Sequence, residues 1–213
     1  MSYVDRIRWQ CRIRPREPAL ALPGPEQRVV TYGELDAALN NAGRRLRQLN
    51  VVPGAVYALL VKDPLLQLVL ALALDELRVA SMVIYDLKLP KAWPFAAILC
   101  DRDAADSAWP VIQVDGTWLF GDGRPFPRAP VVRSPDDICR VMLTSGSTGV
   151  PKGVVMTHAV IQERIANLDY VFGEMATAWT SPRWWLSSLP MISGRNRRPG
   201  STSGRTCRRP SGR

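Results

Sequence analysis

The stretch Val56–Tyr85, VYALLVKDPLLQLVLALALDELRVASMVIY, sets the fold class. Val56–Val61 is continuously apolar and short, the pattern of a strand buried on both faces. Asp63-Pro64 then punctuates the chain, and Pro64 opens a helix running to about Leu77, because proline is tolerated in the first helical turn. The apolar run Leu65–Leu74 is interrupted by Gln67 and bounded by Asp63 and Asp75. It is too short to span a bilayer and reads as a buried helix. Ser81–Tyr85 is a second buried strand. Strand, helix, strand in this order is the signature of an α/β fold, a mainly parallel sheet with flanking helices.

Upstream, Thr31 with Glu34 three residues on forms a capping box, in which hydroxyl and carboxylate each take an orphan backbone N–H. Leu35, Ala38, Leu39, Ala42, Leu46 and Leu49 follow at helical spacing, and Asn50 with Pro53-Gly54 ends that helix. Residues 1–26 are Arg- and Pro-rich and weakly patterned, so they read as a lead-in. Downstream, Phe95–Cys100 and Val111–Val114 read as short strands. Asp115-Gly116 is a hairpin signal, with Thr117–Phe120 returning. The Pro/Gly-rich segment 121–135 is a loop or subdomain joint. Ile138–Leu143 and Gly153–Met156 are strands, Thr157 caps a helix from His158 to about Phe172, and Trp185–Leu189 is a further strand. Trp184 and Trp185 read as core or strand-end residues.

Charge narrows the function classes. The chain has 213 residues and a formal net charge of +9, but seven Arg and no acid lie in Gly194–Arg213, and five Arg lie in the first eighteen residues. Ala19–Ser193 carries 16 Lys plus Arg against 17 Asp plus Glu. A nucleic-acid-binding domain places its basic stripe on the folded surface, so no specific nucleic-acid partner is expected. Cys11, Cys100, Cys139 and Cys207 form no CxxC pair, and the N-terminus lacks a secretory apolar region; free thiols and a cytoplasmic location are expected. His158 is the only histidine. Without a second His or a Cys pair no metal site is assigned, and helix-start placement after Thr157 makes His158 structural rather than a general base.

Between the strands Ile138–Leu143 and Gly153–Met156 lies Thr144–Gly153, TSGSTGVPKG. Gly146 and Gly149 permit backbone angles that turn successive N–H groups inward, forming a nest for an anion. Thr144, Ser145, Ser147 and Thr148 add hydroxyls, and Lys152 adds a mobile positive charge. A polar hairpin turn needs only two to five residues, and this loop carries more donors than a turn requires. It is not a Walker A loop, because Pro151 precedes the Lys and Gly153 follows it. Nor is Ser145-Gly146 set in the GxSxG elbow of a serine hydrolase.

This loop, continuing into a short strand and Thr157-His158, resembles the signature loop of the adenylate-forming (AMP-binding) superfamily. That superfamily comprises acyl-CoA synthetases, luciferases and peptide-synthetase adenylation domains. Thr31-Tyr32-Gly33-Glu34-Leu35, Arg44-Arg45-Leu46 and Val52-Pro53-Gly54 resemble its first conserved region. Ala55 stands where the family usually has Asp, and Arg78-Val79 stand where it usually turns on Gly. The resemblance covers about Val29–Pro190. It implies ATP and Mg2+ as cofactors and a carboxylic acid as substrate, activated to an acyl-adenylate. The thiol of CoA or of a carrier protein would then accept the acyl group. It also implies that Thr144, Ser145, Gly146, Ser147, Thr148, Gly149 and Lys152 bind the β- and γ-phosphates. No catalytic base or nucleophile is assigned, since the carboxylate is its own nucleophile.

The family continues with an aromatic-Gly-x-Thr-Glu segment, a ribose-gripping Asp and a C-terminal domain with a catalytic Lys, none of which follows Ser188-Leu189-Pro190. The expectation is a partial larger domain of the adenylate-forming fold over residues 27–193, with an Arg-rich, disordered, frame-shifted tail over 194–213. Three readings stay open: an adenylating ligase, a non-catalytic nucleotide-binding remnant, and a basic-tailed interaction protein.

Overall fold

The computed structural model describes residues 2–22, 28–121, 124–125, 133–144 and 152–172, with side chains to residue 167. The chain runs α1 (Tyr3–Ile13), β1 (Pro18–Leu22), β2 (Arg28–Thr31), α2 (Tyr32–Gln48), β3 (Val56–Leu60), α3 (Pro64–Glu76) and β4 (Ala80–Val83). It continues with β5 (Phe95–Cys100), β6 (Val111–Gln113), a 3-10 turn (Gly116–Leu119), β7 (Ile138–Thr144), β8 (Lys152–Thr157) and α4 (His158–Phe172). Trp184, Trp185, the strand expected at Trp185–Leu189 and the tail from Gly194 lie outside the described residues.

The main sheet has the order β6-β5-β3-β4-β7-β8, parallel except for β8. The period of two along β3 splits its side chains. Tyr57 and Leu59 enter a core shared with α1, α2 and α3, while Ala58 and Leu60 enter a second cluster on the opposite face. The helix face is the larger core. Because α3 packs against β3, β4, α1 and α2, almost every residue from Leu65 to Asp75 is buried. That explains why its sequence is apolar all round. On the opposite face, Leu87, Leu89, Trp93 and Trp109 pack against Met82, Ile84, Phe95, Ile98 and Val141.

Local chemistry fixes the helix ends. Thr31 Oγ1 accepts from Glu34 N at 3.2 Å, and Thr31 N donates to Glu34 Oε2 at 2.7 Å. Asp63 Oδ1 accepts from Leu65 N and Leu66 N at 2.8 and 3.0 Å, with Pro64 in the first turn. Thr157 Oγ1 accepts from Val160 N at 3.3 Å. At the other ends, α2 and α3 close in the same way. Asn50 (φ 52°) and Arg78 (φ 60°) adopt the left-handed conformation. Val51 N reaches Leu46 O at 3.4 Å and Val79 N reaches Leu74 O at 3.0 Å. Asn50 N reaches Arg47 O and Arg78 N reaches Asp75 O, completing two Schellman motifs.

Within the described part of the lead-in, α1 carries its own capping box between Ser2 and Asp5, and β1 pairs antiparallel with β2. Two sequence expectations are corrected. Residues 115–120 are not a hairpin. Asp115 Oδ1 takes the N–H of Thr117 at 2.8 Å, capping a 3-10 turn that buries Trp118 and Leu119, and β6 is instead a parallel edge beside β5. Leu49 keeps the apolar spacing of α2 but sits at its cap, exposed.

Candidate functional site

β7 lies parallel to β4 through Ser81↔Arg140 and Met82↔Val141. Its carboxyl end therefore emerges with those of β3, β4 and β5, the end of an open parallel sheet where ligands characteristically bind. β8 returns antiparallel, pairing Thr144 with Lys152, Leu143 with Gly153 and Ile138 with Thr157. The glycine-rich loop is thus strung between the two last-paired residues at that end of the sheet. Ser145, Gly146, Ser147, Thr148, Gly149, Val150 and Pro151 lie outside the described residues. Thr144 and Lys152 are the loop's two described feet.

Thr144 Oγ1 donates to the carbonyl oxygen of Lys152 at 3.2 Å. This bond closes the loop at its base and occupies the hydroxyl proton of Thr144. Lys152 is exposed, and among the described residues no carboxylate pairs with its ammonium. A cation on the foot of a closed loop is available to an anion rather than spent on the fold.

His158 lies at the other end of the hairpin. The register places it just past Thr157↔Ile138, while Lys152 sits opposite Thr144. Six residues at about 3.4 Å each put the two roughly 20 Å apart along the strand. His158 is buried, and its Nε2 lies 3.0 Å from Asp75 Oδ1. Arg133 holds the same aspartate, with one nitrogen 3.4 Å from Oδ2 and another donating to Asp75 O at 2.8 Å. The Tyr3 ring lies 5.5 Å from the imidazole. Burial, and after it the Asp75 carboxylate, pushes the Tyr3 phenol well above its ordinary value. This cluster joins α1, α3 and α4, so His158 is a structural residue.

The thiols are equally remote from chemistry. Cys11, Cys100 and Cys139 are free and buried. Burial first, then nearby carboxylates, pushes Cys11 and Cys139 up to about 12, which keeps them as poorly reactive thiols. Among the described residues no group of three or more His, Cys, Asp or Glu could hold a metal ion, and no helix is long and apolar enough to cross a membrane.

A family model described as "AMP-binding enzyme" matches residues 7–193. The chain belongs to the AMP-binding enzyme family. Surfactin synthase subunit 3 of Bacillus subtilis (strain 168) is 33% identical over 172 residues, covering 74% of this chain and 13% of that protein. This member of the AMP-binding family therefore spans a small part of that relative's length. Among solved structures, the N-terminal subdomain of Klebsiella oxytoca NpsA aligns with a TM-score of 0.61 at 22% identity, over 74% of this chain and 42% of that one. The fatty acyl-adenylate ligase of L. pneumophila, solved with acyl adenylate and pyrophosphate, aligns with a TM-score of 0.62 at 19% identity. That alignment covers 79% of this chain and 32% of the ligase. At these identities the likeness establishes the fold: the chain adopts the α/β architecture of the amino-terminal part of adenylate-forming enzymes.

Proposed function

We propose that this chain carries the phosphate-binding part of an ATP-dependent ligase that activates a carboxylate as its acyl-adenylate. The observation behind the reading is the loop Thr144–Gly153 strung between β7 and β8 at the carboxyl end of the parallel sheet, with Lys152 unpaired among the described residues. Family membership supports it. In this reading Lys152, the hydroxyls of Ser145, Ser147 and Thr148, and the N–H groups around Gly146 and Gly149 hold the β- and γ-phosphates. Thr144 closes the loop beneath them.

The reaction needs the departing pyrophosphate charge stabilised while the carboxylate attacks the α-phosphorus. Fixed donors and a cation at the leaving group are the means to that end. Magnesium in nucleotide sites is bound largely by phosphate oxygens and one or two carboxylates; it would supply further charge at the same place. This chain's described residues offer no cluster for it, so no step is assigned through it. CoA or a carrier-protein thiol is the acceptor this reading carries, and the cytoplasm is the compartment. Residues 27–193 are proposed as the partial AMP-binding domain and 194–213 as an Arg-rich extension.

The test is pyrophosphate binding by the full chain, followed by phosphorus NMR or calorimetry. Losing a charge-assisted hydrogen bond costs about 1.5–3 kcal/mol, so Lys152→Ala is expected to weaken binding roughly ten- to a hundredfold. The Arg-rich tail is common to both proteins, so the difference reports the loop. Equal affinity in the two would reduce the loop to a turn.

A further inference from the structure

The segment from the end of β4 to the start of β5 lays Leu87, Leu89 and Trp93 against the sheet face opposite the helices. Trp93 is held firmly there. Its N–H donates to Pro90 O at 3.1 Å, and its carbonyl accepts from Phe95 N and from the indole Nε1 of Trp109, both at 2.9 Å. Its ring stacks on Phe95 at 5.9 Å and 22°, and Phe95 meets Trp109 edge-on at 5.3 Å. From this anchored position the indole reaches Gly153. A Cβ built on Gly153 would lie 2.7 Å from Trp93 Cη2, 2.9 Å from its Cζ3 and 3.0 Å from Val141 Cγ1. Real side chains do not approach so closely, so the ring edge occupies the space that any larger residue at 153 would need. Gly153 directly follows Lys152 and pairs with Leu143.

We propose that Trp93 is a positioning residue for Lys152: its indole edge, seated on Gly153, fixes the strand backbone from which Lys152 projects. The proposal rests on the phosphate-binding reading of that loop. An aromatic ring is suited to the task. It is rigid, buries a large area and, once stacked, loses little further entropy. A fixed backbone at Lys152 spares part of the ordering cost that an anion would otherwise meet on binding. Trp93 touches no phosphate in this scheme; it acts through Gly153 on the placement of Lys152. A glycine is required at 153 for the ring's sake, independently of any special backbone angle.

Pyrophosphate titration of the full chain by phosphorus NMR, well below the melting temperature, tests this with four variants. Trp93→Ala and Gly153→Ala are each expected to weaken binding about tenfold, the first by removing the ring and the second by pushing it off. Trp93→Phe, which keeps a ring beside Phe95 but lacks the Cη2–Cζ3 edge that meets Gly153, should lose affinity as Trp93→Ala does. The double variant Trp93→Ala/Gly153→Ala should bind no worse than Trp93→Ala alone, because residues in contact are not additive. A purely structural Trp93 would lower the melting temperature and leave the affinity of the folded protein unchanged. That result, or full additivity in the double variant, overturns the proposal. Wild-type protein that shows no Lys152-dependent pyrophosphate binding overturns the loop reading and this proposal together. If Trp93→Ala does not fold, the Gly153→Ala and Trp93→Phe pair decides alone: unchanged affinity in Gly153→Ala refutes the contact's role.

Discussion

His158 Nε2 and Asp75 Oδ1 meet at 3.0 Å, with side chains only 4% and 3% exposed, although they stand 83 residues apart in sequence. The pair fastens the start of α4 to the end of α3, and Arg133 and Tyr3 gather on the same carboxylate. Removing the shared acceptor is expected to cost more than removing one donor. Asp75→Ala leaves buried donors unanswered and should destabilise by about 3–5 kcal/mol, whereas His158→Ala should cost about 1–3 kcal/mol. Urea unfolding of the two variants gives the order. His158→Ala should leave pyrophosphate affinity unchanged, because the imidazole is remote from Lys152. A folded His158→Ala protein that no longer binds pyrophosphate would return His158 to the site.

Arg78 at φ 60° stands where a Schellman motif ordinarily has glycine. The left-handed conformation costs a Cβ-bearing residue about 1–2 kcal/mol. Glycine would relieve that cost but add backbone entropy to the unfolded chain, about 0.5–1 kcal/mol. Arg78 also approaches Asp137 at 3.8 Å with an exposed side chain, a contact worth little. The expected net effect of Arg78→Gly is stabilisation by about 0.5–1 kcal/mol, a rise in Tm of roughly 1–4 °C for a chain of this size. A lower Tm would show that Arg78 contributes a contact stronger than its strain.

Thr31 and Glu34 supply a pH-dependent element at the start of α2. The backbone N–H of Thr31, then its hydroxyl, hold the exposed Glu34 carboxyl below its ordinary value of 4.5. A carboxyl depressed in the folded state stabilises above the unfolded value, and that contribution fades as pH falls through the folded one. Glu34→Ala, which removes the titrating group, should therefore be destabilising at neutral pH, and its cost should shrink as the pH drops below 4.5. Chemical denaturation at pH 7 and pH 3.5 compares the two. A cost that stays constant, or grows in acid, contradicts the reciprocal cap.

The parts legible in sequence were those whose signal is local. The β3–α3–β4 unit announces itself by continuous apolar runs around Asp63-Pro64, α2 by its capping box, and the β7–loop–β8 hairpin by glycines and hydroxyls between two short apolar stretches. What escaped depends on distant partners. α1 hides because its buried face includes Arg8, which reads as a surface residue until Glu76 and Asp36 arrive to neutralise it. The expected hairpin at Asp115-Gly116 fails because the Asp115 carboxylate caps a 3-10 turn instead, and Trp118 finds its burial against α2 and α3. Trp93 carried no functional signal, since nothing in the sequence brings it to Gly153. For the candidate site the two strands that flank the loop were legible. The closing bond from Thr144 to Lys152 was not, because it depends on the antiparallel register.

Arg8 gives the last prediction. It is 7% exposed, and its Nε and one terminal nitrogen grip both oxygens of Glu76 at 2.5 and 2.6 Å. The other terminal nitrogen contacts Asp36 Oδ1 at 2.7 Å and Asn40 Oδ1 at 3.2 Å. One guanidinium thus ties α1 to both α2 and α3. The two acids differ in what they lose without it: Asp36 is 35% exposed and can hydrate, but Glu76 is 6% exposed and cannot. Arg8→Ala should therefore cost about 3–5 kcal/mol, because it breaks a buried bidentate pair. The double variant with Glu76→Ala should cost less than the two single losses summed, because both remove the same pair. Arg8→Lys should rescue poorly, since a single ammonium cannot answer a bidentate carboxylate and two further acceptors at once. Urea unfolding of the three variants and of Glu76→Ala completes the cycle. Additive costs for Arg8→Ala and Glu76→Ala would mean the two side chains do not interact, and α1 would then be held by its apolar contacts and by the bonds of Arg8 to α2.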